Sequence, residues 1–294
     1  MREEGQAEAA LPLLERTLAL IEAHYGPDHL MTAQAAKDLA GLLGNMDRWD
    51  EQLLLLRRTL EIYERVLPPD DLEVAFALND FAVHFMGTGD IAEARSLMDR
   101  VVAITEAQRP QDRQDLASAF NNLGYPTRLL GDYEAPRRIF ERALGLFRAV
   151  GEPMRRAIAR TAGNLGGVLV ELGSLQEARR LYEEAFRITL ALYGPDHPTT
   201  ALSRLPLARL LAWEGRFDGA RESVQGVLAV IEKSRGPDHS ETADALARLA
   251  QIERDGGAPE RALRYAATRP RGLALVLRLA ASVSPPDPVV ARTA

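Results

Sequence analysis

Apolar residues recur along most of the chain at intervals of three and four, as in Leu39, Leu42 and Leu43 or Leu165, Val168 and Leu169. That spacing places them on one face of an α-helix. The amphipathic stretches come in pairs, and the pairs repeat. Gly26-Pro27-Asp28-His29, Gly194-Pro195-Asp196-His197 and Gly236-Pro237-Asp238-His239 lie on one grid of 42 residues, and the same step from Gly26 lands on Pro68, Pro110 and Glu152 without insertion or deletion. Seven residues past each of these six stations stands an alanine: Ala33, Ala75, Ala117, Ala159, Ala201 and Ala243. A strict period in this range means one supersecondary unit stacked on copies of itself.

Each 42-residue unit reads as two helices and two turns. The first helix ends near Gly89, Gly131, Gly173, Gly215 or Gly257, where glycine can close a helix left-handed; Asp47 holds that place in the first unit. Asp90, Asp132 or Ser174 follows as an N-cap, and Asp90…Glu93 and Ser174…Glu177 have the spacing of a capping box. A second helix of roughly 18 residues follows, about 27 Å long. The next Gly-Pro-Asp-His-type turn stops it, with Pro198 placed to open a helix.

Small residues mark where paired helices cross closely: Ala40, Ala82, Gly124, Gly166, Ala208 and Ala250 in first helices, Ala94, Ala178, Ala220 and Ala262 in second ones. Gln52 and Pro136 take the second-helix place in two units. Leu39, Phe81, Leu123, Leu165, Leu207 and Leu249 fill one recurrent bulky position, and Trp49, Ile91, Tyr133, Leu175 and Phe217 another. Pro126 and Pro206 fall inside first helices, which predicts kinks or fraying in the third and fifth units.

The leucine–small pair, the glycine turn, the aromatic after it, the second-helix alanine and the Gly-Pro-Asp-His link together resemble the tetratricopeptide repeat. The likeness is to its 42-residue form, known from kinesin light chain and many bacterial signalling proteins, and covers roughly residues 6–268. It implies an all-α fold, a right-handed superhelical solenoid of tetratricopeptide helical hairpins. The expected division is a half-unit at 6–25, six units from about 26, 68, 110, 152, 194 and 236, a capping helix at 269–283 and a disordered tail at 284–294. The lone half-unit and the arginine-rich C-terminal segment suggest a piece of something larger.

In such a solenoid the first helices line the inner wall. Helical geometry turns inward Lys37 and Asp38, Asn79 and Asp80, Asn121 and Asn122 with Tyr125 and Arg128, Arg160 with Asn164, Arg209, and Arg248 with Gln251. The resemblance adds that an Asn-Asn-Leu segment there holds extended peptides. Asn121-Asn122-Leu123 matches it, Asn164-Leu165 matches in part, and Asn79-Asp80-Phe81 loosely. An asparagine amide pairs with a peptide backbone whatever the partner's sequence, and arginine recognises carboxylates. Asn79, Asn121, Asn122, Tyr125, Arg128, Arg160, Asn164 and Arg209 are therefore the expected peptide-binding residues. Leu205 and Pro206 replace the amides in the fifth unit, so the groove centres on units two to four.

Composition narrows the function classes. A net charge of −6 gives no basic field for nucleic acid. With no cysteine, disulfides and thiolate chemistry are excluded. The acidic start lacks a signal peptide, and the longest apolar stretch, 273–283, is broken by Arg278 and too short for a bilayer; a soluble, cytoplasmic protein is expected. His29, His197 and His239 sit a unit or more apart, too far for ligands that must come within about 2 Å of a metal. No nucleophile elbow, phosphate loop or metalloprotease motif occurs. The expectation is a non-catalytic, cofactor-free scaffold that binds a protein or peptide. Its alternative is the sensor arm of a larger signalling protein, joined to a nucleotide switch or a caspase-like protease outside this chain. Self-association through the unpaired half-unit is a third reading.

Overall fold

The computed structural model describes residues 2–258, 260–262 and 265. It divides into two compact units, Met1–Val150 and Gly151–Ala294. The described residues are helical, with no strand among them. The first unit holds α1 (Arg2–Tyr25), α2 (Leu30–Asn45), α3 (Trp49–Val66), α4 (Leu72–Thr88), α5 (Ile91–Gln108), α6 (Arg113–Leu129) and α7 (Glu134–Val150), each packed on the next. The second opens with a 3-10 turn, Glu152–Met154, and continues with α8 (Arg155–Glu171), α9 (Leu175–Tyr193), α10 (Pro198–Leu202), α11 (Leu205–Trp213), α12 (Phe217–Arg235) and α13 (Ser240–Asp255). The expected capping helix and tail at 269–294 lie outside the described residues. No described helix is long and apolar enough to cross a membrane.

Two turn types alternate. After α2, α4, α8, α11 and α13 the chain closes with an amide bonded back five residues: Arg48 to Leu43, Asp90 to Phe85, Ser174 to Leu169, Arg216 to Leu211 and Ala258 to Glu253, at 2.8–3.0 Å. This Schellman closure needs a left-handed residue. Gly89, Gly173, Gly215 and Gly257 supply it, and Asp47 supplies it at φ 56°, the one non-glycine with positive φ among the described residues. A left-handed L-residue costs roughly 1–2 kcal/mol, partly offset against glycine's larger entropy loss on folding. Asp47→Gly is therefore expected to stabilise the protein by about 0.5 kcal/mol, read as a higher urea midpoint; a lower midpoint would show that the carboxylate has a compensating role.

The second turn is the Gly-Pro-Asp-His link. Gly194 (φ 82°, ψ 173°) and Gly236 (φ 89°, ψ 168°) occupy a region open essentially to glycine alone. The histidine then caps the next helix. Nδ1 of His29, His197 and His239 accepts from the amide two residues on, at 3.1, 3.1 and 3.2 Å. Asp71 and Asp112 do the same where the link lacks histidine. The expected capping boxes at Asp90 and Ser174 do not form, since neither side chain caps its helix. The tight closure leaves their ψ at 63° and 59°, whereas the capping residues sit more extended, with ψ from 92° at Asp112 to 149° at His29, the geometry from which a side chain reaches the first amides.

Hairpin packing rests on a knob and a hole. Gly124 of α6 faces the Phe140 ring and Gly166 of α8 faces the Tyr182 ring, so closely that an added Cβ would lie 2.5 and 2.6 Å from them. The same positions elsewhere hold Ala40 with Leu56, Ala82 with Met98 and Ala208 with Val224, all buried. Hole size follows knob size in these five hairpins. Gln52, at a position held by alanine in other units, is buried too: its amide occupies the space beside Gly44, and Oε1 lies 2.9 Å from His84 Nδ1. An amide oxygen only accepts, so His84 Nδ1 is the donor in this contact; burial pushes the imidazole below its ordinary value.

The two prolines act differently. At Pro206 the first helix is split into α10 and α11, and Ser203 and Thr200 hold the break against α9 through Thr189. Through Pro126, by contrast, α6 runs unbroken to Leu129. That proline lies near the helix end, and Thr127 Oγ1 donates to Leu123 O at 2.7 Å beside it.

Candidate functional site

In the first unit, α4 and α6 bring the sequence-expected asparagines into one line. Asn121 Nδ2 donates to Asn122 Oδ1 (3.4 Å), Asn122 Nδ2 donates across to Asn79 Oδ1 (2.9 Å), and Asn79 Nδ2 donates to Asp80 Oδ1 (3.5 Å). Asn121 is only 4 % exposed and anchors the line from within the core, while Asn79, Asp80 and Asn122 are half-buried. The amides thus pair first with each other, which fixes their orientation.

Acidic groups gather at one end. Lys37 on α2 pairs with Glu73 (3.4 Å) and lies 6.0 Å from the ring centres of both Tyr63 and Phe76. The Tyr63 hydroxyl donates to Gln34 (3.3 Å) and is pushed up to about 12 by burial, then by Glu73, Asp38 and Asp80. Burial likewise raises the Asp80 carboxyl; donation from Asn79 and the Lys37 charge oppose the rise, and Asp38 adds to it.

A raised folded value means that ionising Asp80 disfavours the fold. That part of the stability is present at low pH and lost as pH rises through the folded value. Asp80→Asn, which also copies the Asn121-Asn122 pair, is expected to melt higher than the parent at neutral pH, the difference vanishing in acid. Melting curves across that range check it, and an equal difference at every pH would show that the charge is not the cause.

Apolar side chains are exposed on the same helices: Phe76 and Val83 on α4 and Tyr125 on α6. Phe76, Asp80 and Val83 share one face by helical spacing, as do Asn122 and Tyr125. Arg128 lies 5.8 Å from the Tyr125 ring centre. Tyr125 and Arg128 stand among the residues expected from the sequence, whereas Phe76 and Val83 do not. Their signal was an apolar residue on the polar side of α4, with Val83 and Tyr125 a full period of 42 apart.

In the second unit Arg160 is exposed and Asn164 half-buried, one turn apart on α8. Arg209 on α11 lies 4.3 Å from the Trp213 ring centre, and its Nη2 is 3.6 Å from Glu171 Oε1. Arg209, Arg248 and Gln251 all line a cavity of about 260 Å³.

The tetratricopeptide repeat family matches residues 1–65, 115–191, 157–210 and 201–268. A search of curated proteins finds no match. Similar folds occur in solved structures. Kinesin-light-chain repeats from Podospora anserina share 20% identity over 73% of this chain and 97% of theirs, at a TM-score of 0.55. A Rap protein complexed with Competence and Sporulation Factor shares 15% over 95% of this chain and 73% of its own, at 0.64. A signal-transduction ATPase from Pyrococcus horikoshii with a tetratricopeptide repeat sensor shares 15% over 95% of this chain and 42% of its own, at 0.62. With helical hairpins recurring at the period of the sequence, and with the family matching most of its length, the chain belongs to the tetratricopeptide repeat family.

Proposed function

We propose that this chain is a non-catalytic, cytoplasmic interaction scaffold that holds an extended peptide or a partner helix on the first-helix face of its hairpins. The observation that carries the reading is the line of linked amides flanked by exposed Phe76, Val83 and Tyr125. Asn122 and Asn79 offer backbone-directed donors and acceptors whose orientation is already set. Asn121 holds them from within, and Arg128 borders the ring of Tyr125. Arg160, Asn164 and Arg209 offer the same chemistry in the second unit. Asp38, Glu73 and Asp80 outnumber Lys37 at one end, which favours a partner segment with a basic residue there. The matched family is one of repeats rather than of catalysts, and a Rap protein of similar fold has been solved with Competence and Sporulation Factor bound. Neither a cofactor nor nucleic acid enters this reading.

A photo-crosslinking residue in place of Tyr125, compared with one in place of the exposed Leu54 on α3, tests it. The Tyr125 probe should capture a partner in host cells that the Leu54 probe does not, and Asn79→Ala with Asn122→Ala should abolish the capture. Identical products from both probes would sink the proposal.

The likeness to the sensor of the Pyrococcus horikoshii ATPase favours a second reading, the regulatory arm of a larger signalling protein. Exposed Leu13 and Leu20 on α1 suit self-association through the N-terminal helix; light scattering on Leu13→Glu and Leu20→Glu variants separates that case from a monomer.

A further inference from the structure

The cavity of about 260 Å³ lies among α11, α12 and α13 of the second unit. Its lining is apolar on one side, where Leu205, Ala212, Val224, Ala247 and Ile252 meet; Val224 and Ile252 belong to the core. The split of the first helix at Pro206 and the small side chains of Ala212 and Ala247 leave this space between the helices. An apolar recess of this kind suits the body of a small molecule.

Two guanidinium groups converge on the same space. Arg209 is set by its approach to Trp213 and by Glu171, whose Oε1 lies 3.6 Å from Nη2, while its Nε is enclosed and donates to no acceptor. Arg248 comes from α13 and makes no ion pair or hydrogen bond among the described residues. Its proton affinity is pushed down, first by lost hydration and then by the like charge of Arg209, with Asp244 opposing. The residue as a whole is exposed, so the cavity that it lines is open to solvent beside it. Like charges converging on an apolar recess are unfavourable by themselves and favourable around an anion.

The acidic neighbours limit which anion fits. Asp255 is engaged by Gln251 (3.3 Å) and Arg254 (3.4 Å), and Asp244 stands one turn before Arg248. These carboxylates repel a multiply charged phosphate more strongly than a singly charged carboxylate.

We propose that this cavity binds a small organic molecule with a single carboxylate and a compact apolar body, its carboxylate bridging Arg209 and Arg248. The site goes beyond the peptide-binding reading and gives Arg209 a separate role. Its failure would leave the amide line of the first unit untouched, and the reverse holds as well.

Calorimetric titration of the full chain with octanoate, 4-phenylbutyrate and indole-3-propionate tests the proposal. The controls are 4-phenylbutanamide, inorganic phosphate and a short peptide with a free C-terminal phenylalanine. At least one free acid should bind, in the range of about 10 μM to 1 mM expected of so small a ligand. The amide should bind at least about tenfold more weakly. Arg248→Gln, at an exposed residue, should weaken the acid about tenfold without lowering the melting temperature. Arg209→Gln should do the same, and the Arg248 variant keeps the test valid if that one proves unstable. Binding of none of the three acids, equal binding of acid and amide, indifference to Arg248→Gln, or binding by phosphate or the peptide alone would each overturn the assignment.

Discussion

Gly124→Ala should destabilise the protein by about 1–3 kcal/mol, although alanine is the better helix former by nearly 1 kcal/mol. The new Cβ would lie 2.5 Å from Phe140 Cε1 and 2.6 Å from Cζ. Those atoms belong to a rigid ring that is fully buried, so relief requires either an off-rotamer Phe140 or a wider hairpin. The rest of the chain indicates the remedy. Alanine in the hole accompanies Leu56, Met98 or Val224, and glycine accompanies Phe140 or Tyr182. Gly124→Ala combined with Phe140→Leu reproduces the Ala40–Leu56 arrangement and should recover more than half of the loss. Urea unfolding of the parent, both single variants and the double variant supplies the cycle. A Gly124→Ala midpoint at or above the parent's would mean that the ring is free to move and the knob-and-hole account is wrong.

That pairing was half legible in the sequence. The alternation of alanine and glycine at positions 40, 82, 124, 166 and 208 identified a close crossing, because a period of 42 makes recurrent small residues easy to see. The knobs at 56, 98, 140, 182 and 224 escaped notice, because leucine, methionine, phenylalanine, tyrosine and valine look unrelated until the hole opposite each is known. The capping boxes failed for a different reason. Spacing records which residues are near in sequence, but the ψ angle left by the Schellman closure decides whether a side chain can reach an amide. For the prolines, the same residue type split one helix and left another whole, the difference lying in distance from the helix end and in neighbouring hydroxyls.

The candidate site was legible only as residue types. Periodicity placed Asn79, Asn121 and Asn122 on first helices, but nothing in the sequence showed that Asn121 would be buried or that Asn122 would bond across to α4. Arg209 was expected beside a peptide. The sequence does not show that Trp213, Arg248 and an apolar recess surround it, because these come from two helices whose approach is a three-dimensional fact.

Arg221→Met is expected to cost about 3 kcal/mol, the second large effect. Glu253 on α13 is 1 % exposed, the one carboxylate among the described residues that is buried outright. Arg221 on α12 meets it in a two-pronged pair, Nε to Oε1 at 2.6 Å and Nη2 to Oε2 at 3.1 Å, while Nη1 reaches Asp218 at 2.6 Å. These acids raise the arginine's own proton affinity further, the bonds to Glu253 most of all. Methionine keeps much of the stem's packing and removes the charge, so the loss reports on the stranded carboxylate rather than on a cavity. Arg261, 3.9 Å from Oε2, is the remaining cation and too distant to replace a direct bond. Glu253→Leu added to Arg221→Met removes the buried charge as well and should restore most of the stability, since apolar replacement of a buried pair is often neutral. Arg261→Ala alone should change little, as its side chain is mostly exposed. Equal unfolding midpoints for the parent and Arg221→Met would show that Glu253 reaches water when the fold breathes. The pair would then set the α12–α13 register without contributing to stability.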